Sequence, residues 1–259
     1  MKFYLEMMKK PVFTSEDIAA VYTNDKSGNN YVLKLVSEGY VERIRKNMYT
    51  CISPETGLPI ASKYQIASAI TDTSFVSHHT ALEYYGVTDQ VYYDVYVSSA
   101  TRFKEFEYDG YTYKCVVTNH LEGVVNPPMT NGIKVSEIEK TLIDSIKDMD
   151  KIAGIEEVLS AIELLPTLDE KNLLAHLEKY ENQFLYQKIG FVLTQYKNQF
   201  NLSKEFFNEC KKLAGKSKRY LTKDTKCTTW NKEWKLMIPD NMFNLKNGGI
   251  DEFRSKSIG

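Results

Sequence analysis

Apolar positions along the first fifty residues change period twice, and each change marks an element. After Pro11-Val12-Phe13, the tetrad Thr14-Ser15-Glu16-Asp17 sets a hydroxyl three residues before a carboxylate, the spacing of a reciprocal helix cap, and Ile18, Ala19, Val21 and Tyr22 follow as apolar contacts. The pattern predicts a short helix from about 15 to 22. Thr23-Asn24-Asp25-Lys26-Ser27-Gly28 reads as a polar breaker, after which Val32, Leu35 and Val36 resume a helical period over Asn29 to Glu38 until Gly39. The period then drops to two. Tyr40 to Ile44 and Met48 to Ile52 flank the polar corner Arg45-Lys46-Asn47, which predicts a hairpin with a basic tip.

Ser53 to Pro59 holds two prolines and a glycine, a composition that interrupts helix and strand alike and marks a domain boundary. Beyond it, Ser62 to Thr71 and Ser77 to Tyr85 read as helices, the second stopped by Gly86. Val91, Tyr93, Val95 and Val97 alternate with Tyr92, Asp94, Tyr96 and Ser98, and the runs 103–108 and 111–117 flank Asp109-Gly110, a dipeptide suited to a two-residue hairpin turn. An antiparallel sheet follows from this. After Pro127-Pro128, Ser136 and Glu139 have capping-box spacing ahead of Leu142, Ile143 and Ile146. Helical periods then cover 152–165, 168–181 and 184–200, a further helix opens at Leu202-Ser203, and residues 230–259, with Trp230, Trp234, Phe243 and Phe253 among Pro239, Gly248 and Gly249, read as an aromatic tail over the helical layer. The expected fold is α+β: an N-terminal winged helix-turn-helix over 1–55, then a mixed sheet-and-helix domain over 58–259 with a C-terminal helical layer.

Composition adds location and charge. The 259 residues suffice for one large or two modest domains, and no apolar run approaches the roughly 18 residues a membrane span needs. With Glu6 where a secretory signal would be apolar, a cytoplasmic protein is expected, and Cys51, Cys115, Cys210 and Cys227, which form no CxxC pair, are expected to be reduced packing thiols. The net charge of −1 hides an asymmetry. Residues 137–181 carry twelve acids against five lysines, whereas 204–226 carry eight bases (Lys204, Lys211, Lys212, Lys216, Lys218, Arg219, Lys223, Lys226) against three acids. Such a run is either a solvated helix face or a surface for a polyanion.

The helix-turn-helix with its basic hairpin is the strongest constellation for chemistry. A recognition helix needs short polar side chains toward the major groove, and cations beside it to meet phosphates. With Val32, Leu35 and Val36 inward, Asn29, Asn30 and Lys34 face out, with Ser27 at the start of the helix. Asn can pair with an adenine edge, whereas Ser27, Arg43, Arg45 and Lys46 suit phosphate or minor-groove contacts. The same module also serves as a protein-docking surface, and Asn in a first turn is often a cap. His78 and His79, near Asp72 and Glu83, invite a metal or acid–base role, but adjacent helix positions point about 100° apart and share no face, so a structural or exposed role is expected, as for His120 and His176. Gly215-Lys216-Ser217 lacks the rest of a phosphate loop, and no GxSxG occurs. No catalytic residue, metal site or cofactor is expected. The tyrosines 84, 85, 92, 93, 96, 108, 111 and 113 cluster around the expected sheet, where packing is favoured over base stacking.

Taken in order, these pieces resemble the AbiEi-like antitoxins of type IV toxin–antitoxin systems, associated with abortive phage infection. The resemblance runs through Tyr31-Val32-Leu33-Lys34-Leu35-Val36-Ser37-Glu38-Gly39-Tyr40 with the basic tip and Tyr49, then Ser77-His78-His79-Thr80-Ala81-Leu82-Glu83-Tyr84-Tyr85-Gly86 and Val95-Tyr96-Val97. It continues through Ser136-Glu137-Ile138-Glu139-Lys140-Thr141-Leu142-Ile143-Asp144-Ser145 and closes with Trp234-Lys235-Leu236-Met237-Ile238-Pro239. Where that family often has glycine in the hairpin turn, this chain has Asn47, which tolerates the left-handed conformation. The resemblance implies a non-enzymatic DNA-binding repressor of its own operon, acting on duplex operator DNA with inverted repeats. It further implies a C-terminal domain that counteracts a nucleotidyltransferase-like toxin without a stable complex, and Lys211, Lys212, Lys218 and Arg219 are the expected neutralising surface. Two alternatives stand beside it: a stand-alone winged-helix repressor, and a nucleic-acid-processing enzyme that the winged helix targets.

Overall fold

The structure, a computed structural model, describes residues 2–21, 25–88, 90–152, 154–223, 226–240 and 242, without the side chains of 2, 3 and 25–27. The chain is an α+β protein that divides into two compact units, Met1–Thr141 and Leu142–Gly259.

The first unit opens with α1 (Lys2–Met7), β1 (Phe13–Thr14), α2 (Ser15–Val21), α3 (Asp25–Ser37), β2 (Val41–Arg45) and β3 (Met48–Cys51), whose strands form a sheet in the order β1-β3-β2. The expected cap of α2 is present. The Thr14 N–H donates to Asp17 Oδ2 at 2.8 Å and the Asp17 N–H to Thr14 Oγ1 at 3.3 Å. Burial pushes the Asp17 carboxyl up, but bonds from Lys10 and Thr14 outweigh it and hold the group below the usual carboxylate range. Of the expected contacts, Tyr22 lies outside the described residues. The breaker at 23–28 is shorter than expected, because α3 already begins at Asp25. Asp and Ser, poor in helix interiors, are favoured in a first turn, and so polarity there starts the helix instead of interrupting it. Gly39, at φ +77°, ends α3 with its N–H on the Val36 carbonyl and the Tyr40 N–H on the Leu35 carbonyl, a Schellman close. Met7, Phe13, Ile18, Val32, Leu35, Val41 and Cys51 form the core beneath, and such side chains contribute roughly 1.5–3 kcal/mol each.

The segment at 53–59 is a closed turn. Ser53 N–H donates to the Leu58 carbonyl at 2.8 Å and Ile60 N–H to the Cys51 carbonyl at 3.0 Å. The chain continues through α4 (Lys63–Ala69), β4 (Phe75–Val76), α5 (His78–Tyr84), β5 (Asp94–Ser99), β6 (Phe106–Tyr108), β7 (Tyr111–Val117), β8 (Val124–Val125) and β9 (Val135–Ser136). Their sheet has the order β6-β7-β5-β4-β9-β8. It is mixed where an antiparallel sheet was expected, since β5 runs parallel to β7 and β4 to β9. The β6–β7 hairpin turns at Asp109 (φ +51°) and Gly110 (φ +75°) as expected, and lays β7 beside β5 in the same direction. Every residue from Val95 to Ser99 is buried, as in a strand covered on both faces. Ser136 belongs to β9, and its hydroxyl meets the Val76 carbonyl and Thr141 Oγ1. The expected division near 55–58 falls inside this unit, because Ile44 and Met48 of the β2–β3 hairpin share one core cluster with Ile66, Val76, Val95 and Tyr113.

The helix α6 (Ile138–Ile152) straddles the boundary. The second unit adds α7 (Gly154–Leu164), α8 (Glu170–Lys179), α9 (Gln183–Gln195) and α10 (Lys204–Leu213), with Asp169, Asn182 and Ser203 capping the last three. Where a tail was expected, β10 (Arg219–Tyr220), β11 (Cys227–Asn231) and β12 (Leu236–Pro239) form a sheet in the order β10-β12-β11. Phe243, Gly248, Gly249 and Phe253 of that expectation lie outside the described residues. Trp234 fixes the inner side. Its indole N–H donates to Thr194 Oγ1 at 3.2 Å, its carbonyl accepts from the Gln187 amide at 2.9 Å, and its ring occupies the space a Cβ on Gly190 would take, 2.1 Å from that position. All four cysteines are free thiols, and burial pushes those of Cys51 and Cys210 up to about 12. Among the described residues no helix is long and apolar enough to cross a membrane.

Candidate nucleic-acid interface

The helix α3 is held by one face and offers the other. Val32 and Leu35 are buried in the N-terminal core, whereas Asn29, Asn30, Leu33, Lys34 and Ser37 are exposed. Those five positions follow the i, i+1, i+4, i+5, i+8 spacing of one helical face. Because α3 starts at Asp25, Asn29 and Asn30 sit in its second turn and are not cap residues, which removes the capping explanation for them. The Ser27 side chain lies outside the described residues. Lys34 Nζ is 3.7 Å from Glu38 Oε1, an exposed i,i+4 pair contributing about 0.3–0.5 kcal/mol, too little to withdraw the lysine from another anion. Leu33, 59% exposed at the middle of this face, was not singled out from the sequence. Its place between Asn30 and Lys34 in the helical period was the available signal.

The hairpin separates its three basic residues. Arg43 and Lys46 are exposed, and the Arg43 Nε–H donates to the Arg45 carbonyl at 3.3 Å. Arg45, expected to contact phosphate, instead turns inward: its guanidinium lies over the Phe106 ring at 5.2 Å and the Phe103 ring at 6.0 Å, with Nη1 buried and unpaired among the described residues. The cause is a bulge. Arg43 pairs with Tyr49 and Arg45 with Met48, so Ile44 is the extra residue, and the strict alternation that would have sent Arg45 outward with Arg43 is broken. A desolvated cation–π contact contributes about 2 kcal/mol and an orphaned buried donor costs about 1–3. These nearly cancel, so packing of Ile44 holds the bulge and the guanidinium follows. Beside it the Tyr108 hydroxyl donates to Glu42 Oε2 at 2.6 Å, tying β2 to β6. Nothing in the sequence marks Phe103, Phe106 and Tyr108 as supports of a hairpin some sixty positions earlier. Asn47, at φ +60°, takes the left-handed conformation expected of it.

The basic run of the second unit also divides. Lys211 and Lys212 end α10, where Lys211 pairs with Glu233 at 2.5 Å and Lys212 with Glu209 at 3.1 Å. Lys212 and Lys216 further line a cleft of about 980 Å3 together with Glu178, Glu181 and Glu209, a wall of mixed sign unlike a polyanion site. Lys218 precedes β10 and Arg219 opens it, with Lys218 Nζ over the Trp230 ring at 5.6 Å and Arg219 over the Phe184 ring at 5.9 Å.

His78 and His79 are both buried and point to different partners: His78 Nδ1 meets Ser77 Oγ at 2.8 Å, while His79 Nε2 meets the Asp94 carbonyl at 3.2 Å. Burial drives the His79 pKa down to about 4, so the ring is neutral, packed against Tyr92 and Tyr96. Asp72 is exposed, and its backbone carbonyl accepts from Lys134 Nζ. Among the described residues no group of three His, Cys, Asp or Glu side chains could hold a metal ion. Of the clustered tyrosines, Tyr113 and Tyr96 are buried, Tyr84, Tyr85, Tyr108 and Tyr111 pack against the same core, and Tyr93 is exposed.

A scan of the chain against protein-family models finds no match, and a search of curated proteins finds none either.

Proposed function

We propose that residues 2–51 act as a winged helix on duplex DNA, with α3 entering the major groove and the β2–β3 hairpin lying along the backbone as the wing. The observation that carries this reading is the exposed polar face of α3, Asn29, Asn30 and Lys34, beside Arg43 and Lys46 on the hairpin. Asn29 and Asn30 supply the bidentate amides that suit adenine edges, and Lys34, Arg43 and Lys46 supply cations for phosphates. Arg45 leaves the contact set and becomes a support of the wing. On the resemblance given by the order of its motifs, the chain is a cytoplasmic antitoxin that represses its own operon through inverted repeats and counteracts a nucleotidyltransferase-like toxin without a stable complex. It has no catalytic role of its own in this reading.

A mobility shift with the DNA upstream of its own gene tests the first part. Specific retardation that weakens steeply with salt is expected, and retardation no better than for a scrambled duplex would overturn it. Co-expression with the nucleotidyltransferase encoded beside it tests the second: full-length Asn30→Ala should weaken operator binding and still protect cells. Loss of protection in that variant would join the two activities and remove the separate neutralising role.

A further inference from the structure

The three-stranded sheet of the second unit carries a surface that duplex binding leaves unused. Tyr220 of β10 pairs with Met237 of β12, which pairs with Trp230 of β11, so the three side chains form one row across the sheet. Residues opposite each other in a ladder point to the same face, and successive residues to opposite faces. The adjacent row contains Leu236, which is fully buried, and therefore Tyr220, Met237 and Trp230 face outward. Tyr220 is 58% and Trp230 44% exposed. The two aromatic residues stand two strand spacings apart, roughly 10 Å.

The charge around this row is one-sided. Between residues 216 and 240 there are seven bases against three acids. Lys218 lies over the Trp230 ring, and Lys223, Lys226 and Lys232 are exposed. Of the described acids, Glu233 is paired with Lys211 and Asp240 accepts from the Thr228 and Thr229 hydroxyls. Protein interfaces enrich aromatics but deplete lysine, whereas surfaces for single-stranded nucleic acid combine both, since every base has a face to stack and every nucleotide a phosphate to neutralise.

We propose that this outer face binds single-stranded nucleic acid, with Trp230 and Tyr220 each stacking a base and Lys218, Lys226 and Lys232 meeting the backbone. The site lies wholly in the second unit and stands independently of the duplex reading.

Fluorescence anisotropy of the full-length chain with labelled mixed-sequence RNA and DNA strands of about twelve nucleotides, a length within known site sizes, tests it. Both strands should bind, with log K falling by about 0.7 per phosphate contact against log salt, and a preference between the two arms tells which strand the face favours. Trp230→Ala and Tyr220→Ala should each weaken binding about tenfold, while Trp230→Phe keeps most of it and abolishes the fluorescence quenching that stacking produces in the parent. Lys218→Gln with Lys232→Gln, which disturbs no core side chain, should shed about 0.7 of slope per lysine. Asn30→Ala should leave these affinities unchanged. Binding of Trp230→Ala and Tyr220→Ala equal to the parent, or no binding of either strand by the parent at about 50 mM salt, would overturn the proposal, the latter leaving the face to a protein partner.

Discussion

Two three-stranded sheets of this chain, β1-β3-β2 and β10-β12-β11, both carry bases at their edges, yet they dispose of them in opposite ways. In the first, a bulge at Ile44 turns Arg45 onto Phe103 and Phe106, so one of three hairpin bases supports the hairpin and two remain for solvent. In the second, the inner side is closed by Trp234 against Gly190, and Lys218 stays outside with Trp230. Counting bases along the sequence is therefore a poor guide to a binding face. What decides is whether the strand alternates strictly and what covers each side.

The largest effect that would break this comparison lies at the inner side of the second sheet. Trp234→Ala should cost about 3–5 kcal/mol in denaturant unfolding, and Gly190→Ala about 1–3 or more, because its new Cβ collides with the indole. Near-parent stability in both would mean that Trp234 does not hold the sheet.

Acid should act next on the first sheet, whose Ile44 and Met48 share a core cluster with the sheet that contains β5 and its neighbour His79. With its pKa held at about 4 against 6.5 for a free histidine, His79 takes up its proton more readily when unfolded. Its contribution is thus complete above about pH 6.5 and is lost as the pH falls from there toward 4, on the order of 2 kcal/mol between pH 7 and 5. Hydrogen exchange should show that loss in the first unit, and His79→Gln should flatten it. An equal loss in the variant would assign the acid sensitivity to other groups.

Asn30→Ala should cost about 1–3 kcal/mol on the specific duplex and little on a scrambled one, in titrations of both. Smaller still, Tyr108→Phe removes the bond to Glu42 and should weaken duplex binding by about 1 kcal/mol without changing the salt slope, as befits a support that touches no phosphate.

Much of the fold was legible where local chemistry and period agree. Thr14 and Asp17 announced a cap, Gly39 a helix end, Asp109-Gly110 a turn, and each does that work. Strands of two residues, such as β4, β8 and β9, are too short to show a period, and without them the parallel pairings of the central sheet could not be read. The β10–β12–β11 sheet escaped notice because Pro239 ends one strand and an irregular register interrupts another between Cys227 and Thr229. At the candidate interface, Asn29, Asn30 and Lys34 stand outward as the helical period requires and Arg43 and Lys46 are exposed, but Arg45 turns inward, since a bulge leaves no mark in a pattern of apolar and polar letters. A cut at Leu58, which the composition of 53–59 invites, would strip Ile44 and Met48 from the core they share with the sheet, so point variants separate the activities better than fragments do.

In the proposed reading, the outward face of α3 reads duplex sequence while the exposed hairpin bases anchor it. The most direct test is the affinity of the parent, Asn30→Ala and Lys46→Ala for the upstream duplex and for a scrambled duplex, each followed across salt. Asn30→Ala should narrow the gap between the two duplexes at an unchanged salt slope, whereas Lys46→Ala should weaken both alike and lower the slope by about 0.9. The same behaviour in both variants, or a parent chain that does not distinguish the two duplexes, would contradict it.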